Sequence, residues 1–441
     1  MAMAAAVCAV LAGTGEARGS ACLDEVTASP YAPRLQEWRT AWAERGIAVS
    51  ASYAGEVFAN LAGGLEEAVT YDGLLDLAVD ADLERLAGWK GLCFHANAFQ
   101  IHGQSITAEG TGGLAAASSI EADPATRLSE IWLEQSLFSG RASVRFGQLA
   151  ADTEFMTTSA SDYLLNATWG WPTITAFDTP EGGPAYPMAA PGVRLAVRPS
   201  EHFDFKIAAF NGRVAEDCIG QDPQLCNLHG VEFPLGDPPL VMGEMTMRYE
   251  LGDGLPGAFK LGSWHHSGDV SDVRFDAGGN LITITGRSGA PLDGDYGLYA
   301  LLQQTVWKPK GAEGDQGITL FSRVMGAPED HNFIDFYGEA GVIFAGLIPA
   351  RPDDAVAFGF EYTEISERAV ASEVVSGAEA GRSYESLAEL TYTLSLRDAW
   401  TLQTSLQYLW RPRGGYTYSH PRNPQRLEDS LVIGTRSVWS F

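Results

Sequence analysis

The sequence predicts an all-β fold, a transmembrane antiparallel β-barrel, and three observations support that prediction. Apolar residues recur at every second position through most of the chain, as in strands with one apolar face. No run of 18 or more apolar residues is present, which excludes an α-helical membrane protein. The chain also ends in a strand-like segment, SLVIGTRSVWSF, in which Leu431, Ile433, Trp439 and Phe441 share one face.

Composition excludes several other classes of protein. The 441 residues carry a net charge of −27, yet only 19% are charged and 45% are hydrophobic. A disordered chain is more charged and less apolar, and a nucleic-acid-binding protein needs a basic face that this acidic chain lacks. No Pro- or Ser-rich linker divides the sequence, so we expect one large architecture rather than several soluble domains.

The N-terminal region predicts an exported protein. Residues 1–21 are small and mostly apolar and resemble a signal peptide. Residues 22–45 form an N-terminal amphipathic segment, in which Leu35, Trp38 and Trp42 recur at helical spacing before Gly46. Residues 46–441 are then predicted to form the barrel.

Strand alternation is clearest in two segments. In residues 73–83, leucines and Val79 share one face while Asp76, Asp80 and Asp82 share the other. In residues 202–210, Phe203, Phe205 and Ile207 alternate with Asp204 and Lys206. Carboxylates on one face need water, so the polar faces are expected to line a hydrated lumen. No βαβ rhythm appears, which disfavours a parallel sheet.

Three other architectures deserve comparison with the barrel. A soluble β-rich sugar-binding protein would show the same alternation, but the polar faces here carry opposed charges and Trp and Tyr cluster near strand ends. A barrel esterase or lipase would need a nucleophile motif, and no GxSxG is present. An energy-coupled receptor would need a plug domain for which the chain is too short. We therefore expect no enzyme activity and no cofactor.

The cysteines favour an oxidising compartment. Cys218 and Cys226 bracket a short Gly- and Pro-containing segment, where a disulfide would close a surface loop. A metal site is poorly supported, because there is no CxxC and only His229 lies nearby.

Several long sequence words resemble one family. From residue 55 to 212 they occur in the order GEVFANLAGG, YDGLLDLAVDADLERLAGWKG, FHANAFQIHG, TRLSEIWLEQ, RFGQLAADTEFM, NATWGWP, EGGPAYPMAAPGVRLAVRP and AAFNG. In these words the chain resembles the carbohydrate-selective porins of the OprB family. The resemblance implies a barrel of about 16 strands, a homotrimer, and passage of mono- and small oligosaccharides across an outer membrane. A final strand ending at Phe441 is what such barrels offer to the barrel assembly machinery.

Residues 151–191 are the candidate constriction loop. This stretch has weak strand character, and a structureless segment of this length is usually functional or disordered. Its prolines and aromatics favour an ordered loop folded into the lumen. Its acidic residues are Asp152, Glu154, Asp162, Asp178 and Glu181, and its aromatic residues include Phe155, Trp169, Trp171 and Tyr186. Among them the candidate solute-binding residues are Asp152, Glu154, Trp169, Trp171, Asp178 and Glu181. For each aromatic, anchoring the loop to the wall is as good an interpretation as stacking on a sugar.

Alternation places opposite charges on the walls beside this loop. If Val144 and Phe146 face lipid, Arg145 faces the lumen. The same alternation predicts that five further residues face the lumen: Glu130, Trp132, Glu134, Arg194 and Arg198. Such a set would hydrogen-bond sugar hydroxyls, or its members would pair with one another to satisfy a costly interior. A general diffusion porin without sugar selectivity is the alternative function, and the acidic excess predicts a preference for cations.

Overall fold

The computed structural model describes most of the chain as one closed barrel. It covers residues 22–23, 33–216, 218, 220–252, 254–312, 314–374, 383–397, 399–415, 417–420 and 423–441. The predicted signal peptide, residues 1–21, lies outside the described residues. No helix in the described part of the chain is long and apolar enough to cross a membrane.

Sixteen antiparallel strands form the barrel wall. In chain order they are β1 Ile47–Gly64, β2 Ala68–Asp82, β3 Leu92–Gly103, β4 Ala125–Leu137, β5 Ala142–Leu149, β6 Ala190–Ser200, β7 Phe203–Phe210, β8 Leu240–Leu251, β9 Leu255–His266, β10 Asp295–Trp307, β11 Gly317–Gly326, β12 Ile334–Ala345, β13 Ala355–Ile365, β14 Tyr384–Arg397, β15 Trp400–Trp410 and β16 Glu428–Ser440. Each strand pairs with its sequence neighbours, and β16 closes the barrel against β1. The predicted fold class and strand number are confirmed.

Short helices and two hairpins lie outside the wall strands, most of them in the connections between these strands. The helices are α1 Pro33–Ala43, α2 Leu83–Ala87, α3 Ala160–Tyr163, α4 Thr173–Asp178, α5 Pro223–Cys226, α6 Ile282–Thr285 and α7 Glu367–Val374. Two small hairpins, Val270–Asp276 with Gly289–Leu292 and Thr417–His420 with Asn423–Arg426, stand outside the wall. Helix α1 confirms the helix expected before Gly46.

The two ends of the barrel differ in the length of their connections. At one end the strands are joined by short turns such as 138–141 and 201–202, and at the other by long loops such as 104–124 and 150–189. Outer-membrane barrels have short periplasmic turns and long extracellular loops. The long-loop end is therefore the extracellular end, and both termini of the barrel lie at the periplasmic end.

The wall has an apolar outer face and a polar inner face, as the alternation predicts. On β6, Val193, Leu195 and Val197 are 47%, 40% and 37% exposed, whereas Arg194 between them is 4% exposed. Exposed apolar side chains of this kind suit contact with lipid, and the lumen takes the charged ones. Strand β7 repeats the pattern, with Ile207 exposed and Asp204 buried.

Aromatic side chains mark both edges of the wall. Trp400 and Trp439 stack with ring centroids 4.4 Å apart at the periplasmic edge. Tyr408 and Trp410 make an edge-to-face contact at 4.7 Å, and Phe360 lies 6.1 Å from Trp410 toward the extracellular edge. Such pairs are typical of the aromatic girdles of outer-membrane barrels.

Two disulfides join cysteines of the described residues. Cys218 and Cys226 are bonded, the pair that their spacing suggests. Cys22 is bonded to Cys93 of β3, which ties the N-terminal segment to the periplasmic end of the wall. The sequence offered no spacing signal for this second bond, because its cysteines are 71 residues apart.

Candidate functional site

The inward loop, residues 150–189, crosses the lumen and is held by the opposite wall. It joins β5 to β6, yet Met156 N donates to Glu244 Oε2 of β8 at 2.8 Å. Further along, Leu165 N donates to Glu389 Oε1 of β14 at 2.7 Å. Because strands on different sides of the barrel bind it, this loop lies inside the lumen. The segment 151–191, the candidate constriction loop, overlaps it.

Arg323 and Glu389 form several of the hydrogen bonds that hold the inward loop against the opposite wall. Arg323, which is fully buried on β11, donates to the carbonyl oxygens of Met156, Thr168 and Trp169 at 2.8, 3.1 and 3.1 Å. Glu389 accepts hydrogen bonds from Leu165 N and from Trp169 Nε1, the latter at 2.6 Å. Hydrogen bonds between charged side chains and backbone groups are strong, so they hold the inward loop in one conformation.

Local sequence also shapes the inward loop. Asn166 Oδ1 accepts a hydrogen bond from Thr168 N at 3.0 Å and starts the turn Ala167–Trp169. Pro172 stands directly before α4, where its fixed φ suits a helix start. Glu389 and the side chain of Trp169 then fix this folded segment against the wall.

A second inward loop, residues 104–124, lies beside the first. Leu114 N and Ala115 N donate to the carboxylate of Glu385 on β14 at 2.8 Å each. The two loops are joined by backbone bonds, including Ser119 N to Leu165 O at 2.8 Å. The sequence did not predict that this loop belongs to the pore. Its small residues in GTGGLAAASS, which permit close packing in the lumen, were the available signal.

Five charged side chains meet where the inward loop leaves the wall: the charged cluster Glu134, Arg145, Glu154, Arg194 and Lys206. They come from β4, β5, the inward loop, β6 and β7. The register brings the wall residues together, since Glu134 pairs with Arg145 and Arg145 with Arg194. The inward orientation that alternation predicts for Arg145 and Arg194 agrees with this placement.

Two carboxylates hold the three cations of the charged cluster. Glu134 Oε2 lies 2.7 Å from Arg145 Nη2 and 2.9 Å from Arg194 Nη2. Glu154 lies 2.7 Å from Arg145 Nη1 and 2.8 Å from Arg194 Nε, and its backbone oxygen accepts from Lys206 Nζ at 2.9 Å. The side chains of Glu134 and Arg145 keep 22% and 18% of their surface exposed, more than those of Glu154 and Arg194. Glu134 and Arg145 are thus the most exposed members of the charged cluster.

Trp132 lies beside the charged cluster with both faces covered. The Arg145 guanidinium carbon is 3.8 Å from the Trp132 ring centroid, and the His95 ring stacks on Trp132 at 4.8 Å. A sugar has no free face of Trp132 on which to stack. Trp132 was expected only to face the lumen, and its ring is occupied there by protein groups.

For Trp169 the structure favours wall anchoring, one of the two interpretations that the sequence left open. Its side chain is fully buried, donates to Glu389 and packs edge-on against Phe321 at 6.0 Å. Phe155 is likewise buried, with its ring 6.4 Å from that of Phe210. These two aromatics anchor the loop, because no surface of either remains to contact a solute.

Three of the predicted acidic residues also bind protein groups. Glu130 Oε1 accepts from Ala150 N at 2.9 Å, at the start of the inward loop. Glu181 accepts from Arg213 Nε at 2.8 Å and so joins the inward loop to the loop 211–239. Asp178 is buried in α4 near the start of β12. Their contacts explain loop architecture rather than solute binding.

A cavity of about 230 Å³ lies between the two inward loops. Its lining includes Glu121, Asp152, Ser161, Trp171 and Tyr186. The Trp171 indole N–H is satisfied by Gly182 O at 2.9 Å, and one oxygen of Asp152 accepts from Tyr186 N at 2.9 Å. Trp171 and Tyr186 are accordingly the two predicted loop aromatics that border this cavity. Among the described residues, no group of three or more His, Cys, Asp or Glu side chains could hold a metal ion.

Comparison with known proteins identifies the family. Residues 66–441 match the family described as carbohydrate-selective porin, OprB family. Porin B of Pseudomonas aeruginosa is 25% identical over 433 residues, which cover 91% of this chain and 90% of that protein. A putative porin, QuiX, of Acinetobacter baylyi is 20% identical and covers 90% of both chains.

Solved structures show the same fold. The high-pH structure of Pseudomonas putida OprB has a TM-score of 0.79 at 21% identity and covers 92% of this chain and 96% of its own. The low-pH structure of the same protein has a TM-score of 0.57. The chain therefore belongs to the OprB family of carbohydrate-selective porins, which makes it a passive carbohydrate channel of the bacterial outer membrane.

Proposed function

We propose that sugars cross the barrel by transient hydrogen bonding to the charged cluster, with Glu134 and Arg145 as the solute-facing pair. A sugar hydroxyl both donates and accepts hydrogen bonds. The carboxylate of Glu134 can accept from it and the guanidinium of Arg145 can donate to it. The observation that supports this proposal is their position, partly exposed and 2.7 Å apart where the inward loop narrows the lumen.

The pairing inside the charged cluster suits weak binding. Each solute-facing group already has an opposite charge as partner, so a passing hydroxyl competes with existing hydrogen bonds. Conduction needs a site that solute can leave easily. A dissociation constant near 1 mM corresponds to about −4 kcal/mol, which is the range expected for such a site. Transport of this kind leaves the solute chemically unchanged.

Variants of the two arginines test the proposal. The double change Arg145→Gln and Arg194→Gln is expected to alter the sugar-induced block of single-channel current in a planar bilayer. The charge-preserving pair Arg145→Lys and Arg194→Lys tests whether the forked guanidinium geometry matters. Arg287→Gln is the matched control, because Arg287 is highly exposed and lies outside the charged cluster.

The outcomes separate two functions. Weaker block by the Gln pair, with wild-type block by Arg287→Gln, supports a sugar-selective constriction. Unchanged block in a folded barrel would refute the placement of the solute site. Open-channel currents indifferent to sugars in the wild-type protein would favour a general diffusion porin. Heat-modifiable electrophoretic mobility checks that each barrel is folded.

Three further expectations concern assembly. We propose export with removal of residues 1–21, insertion by the barrel assembly machinery through the final strand, and association as a homotrimer. The last strand supports the second step, since β16 pairs with β1 from Ser440 to the extracellular edge. The N-terminal sequence of the mature protein tests the first expectation. The mass of the detergent-purified complex tests the third, and a monomer mass would contradict it.

A further inference from the structure

Four side chains on consecutive strands form a row along the lumen wall toward Arg145. Asp80 of β2 pairs in register with His95 of β3, and His95 pairs with Trp132 of β4. Arg145 follows on β5, two residues before Gly147, the register partner of Trp132. The row is Asp80, His95, Trp132 and Arg145.

Each member of the row contacts the next. His95 Nδ1 lies 2.8 Å from Asp80 Oδ1. The His95 and Trp132 rings stack with centroids 4.8 Å apart and an interplanar angle of 21°. The Arg145 guanidinium carbon, which comes from the neighbouring strand on the other side of β4, is 3.8 Å from the Trp132 centroid. The indole is therefore held between an imidazole and a guanidinium.

Gly147 makes room for this stack. A Cβ atom at Gly147 would lie 2.2 Å from Ile131 O and 2.7 Å from Trp132 Cα, and its φ of +145° disfavours other residues. Its missing side chain leaves the space beside Trp132 to the Arg145 head group. The wall sequence RFG at 145–147 thus suits a guanidinium placed over the indole ring.

We propose that His95 is a positioning residue for Arg145 and acts through Trp132. This inference rests on the proposed role of Arg145 in solute binding. The ion pairs to Glu134 and Glu154 fix where the Arg145 head group lies. The indole fixes how the guanidinium plane is turned, because cation–π attraction favours a cation over the ring face. His95 supports the opposite face of the indole, and Asp80 holds the imidazole through its Nδ1.

The experiment measures sugar block in four variants of the full-length channel. His95→Ala removes the stack and is expected to weaken block by glucose about fivefold, the size expected for loss of a cation–π contact. His95→Phe keeps a ring against Trp132 and is expected to recover block to within about twofold of wild type. If His95→Phe restores block, the loss in His95→Ala comes from the missing ring beside Trp132. It does not then come from the loss of the charge or polarity of the imidazole.

A double-mutant cycle tests whether His95 acts through Arg145. Arg145→Ala alone is expected to weaken block, and adding His95→Ala to it should change block less than about twofold, since the two residues share one interaction. His102→Phe is the control. It lies on the same strand but contacts Tyr53 and Tyr71 on the outward face, so wild-type block is expected.

Three results would overturn the inference. Wild-type block by His95→Ala in a folded barrel would show that Arg145 needs no such support. A full fivefold loss when His95→Ala is added to Arg145→Ala would show a role independent of Arg145. If Arg145→Ala itself leaves block unchanged, the proposed solute site fails and the positioning role fails with it. Wild-type block in His95→Ala together with weakened block in Arg145→Ala would refute the positioning role alone and leave the proposed solute site standing.

Discussion

Glu154 of the inward loop and Arg194 of β6 form a buried ion pair, with Arg194 Nε 2.8 Å from Glu154 Oε2. The same carboxylate lies 2.7 Å from Arg145 Nη1 and 3.7 Å from Lys206 Nζ. One loop residue therefore compensates cations of three successive strands. The position of the inward loop and the charge balance of the constriction depend on the same side chain.

Replacing that carboxylate should destabilise the barrel. Glu154→Gln leaves Glu134 to hold Arg145 and Arg194 and takes the carboxylate away from Lys206, and breaking a buried pair costs about 3–5 kcal/mol. A urea titration followed by tryptophan fluorescence measures the loss. Glu37→Gln, on the exposed surface of α1, is the control and should leave the midpoint unchanged. An unchanged midpoint for Glu154→Gln would contradict the structural role given to this pair.

Releasing the inward loop should enlarge the channel. Glu389→Ala removes the acceptor for Leu165 N, Asn166 N and Trp169 Nε1, and hydrogen bonds to charged groups contribute about 1.5–3 kcal/mol each. We expect higher, noisier single-channel conductance and weaker sugar block. Leu390→Ala, the next residue on the lipid face, is the control. Wild-type conductance for Glu389→Ala would show that the loop does not depend on this anchor.

The channel should prefer cations over chloride. The chain carries 56 acidic and 29 basic residues, and β2 turns Asp72 and Asp76 away from the lipid face. A potential of one sign raises the local concentration of the opposite ion. We expect a permeability ratio of about two or more in favour of potassium, read from the reversal potential in a potassium chloride gradient. A reversal potential of the opposite sign would contradict this prediction.

A charged side chain on the outer face of the wall should lower the free energy of unfolding far more than one that faces the lumen. Leu195→Arg places a cation on the lipid face, where the cost near the bilayer midplane is about 2–4 kcal/mol. Ser50→Arg, on β1 beside inward-facing Ala78, provides the lumen control. Unfolding midpoints in detergent-free vesicles compare the two. Equal midpoints would mean that Leu195 does not face lipid.

The fold followed from the sequence because alternation is a local property. The segments around Val193 and Phe203 show their inner and outer faces directly, so membership of the wall and the inward direction of Arg194 could be predicted. The last strand, which ends in the aromatic residue Phe441, favoured a barrel. The resemblance to a family predicted the number of strands.

The contacts of the site could not be predicted in the same way, because they join residues far apart in the chain. Trp169 is bound to Glu389, 220 residues away, and nothing in the sequence near Trp169 distinguishes an anchored indole from a free one. The stack of His95 on Trp132 depends on strand register, which a bulge between Ala96 and Ala98 adjusts. The loop 104–124 contains no aromatic residue and only the scattered acidic residues Glu109, Glu121 and Asp123, so its sequence did not predict a place in the pore.

Sugar titration of the wild-type channel tests the central claim most directly. Single-channel current of the detergent-purified protein is recorded in a planar bilayer as glucose is raised through the millimolar range, with a charged solute of similar size as control. We predict discrete conductance steps that glucose reduces in a saturable way. Steps that glucose leaves unchanged at every concentration would contradict a sugar-binding constriction at Glu134 and Arg145.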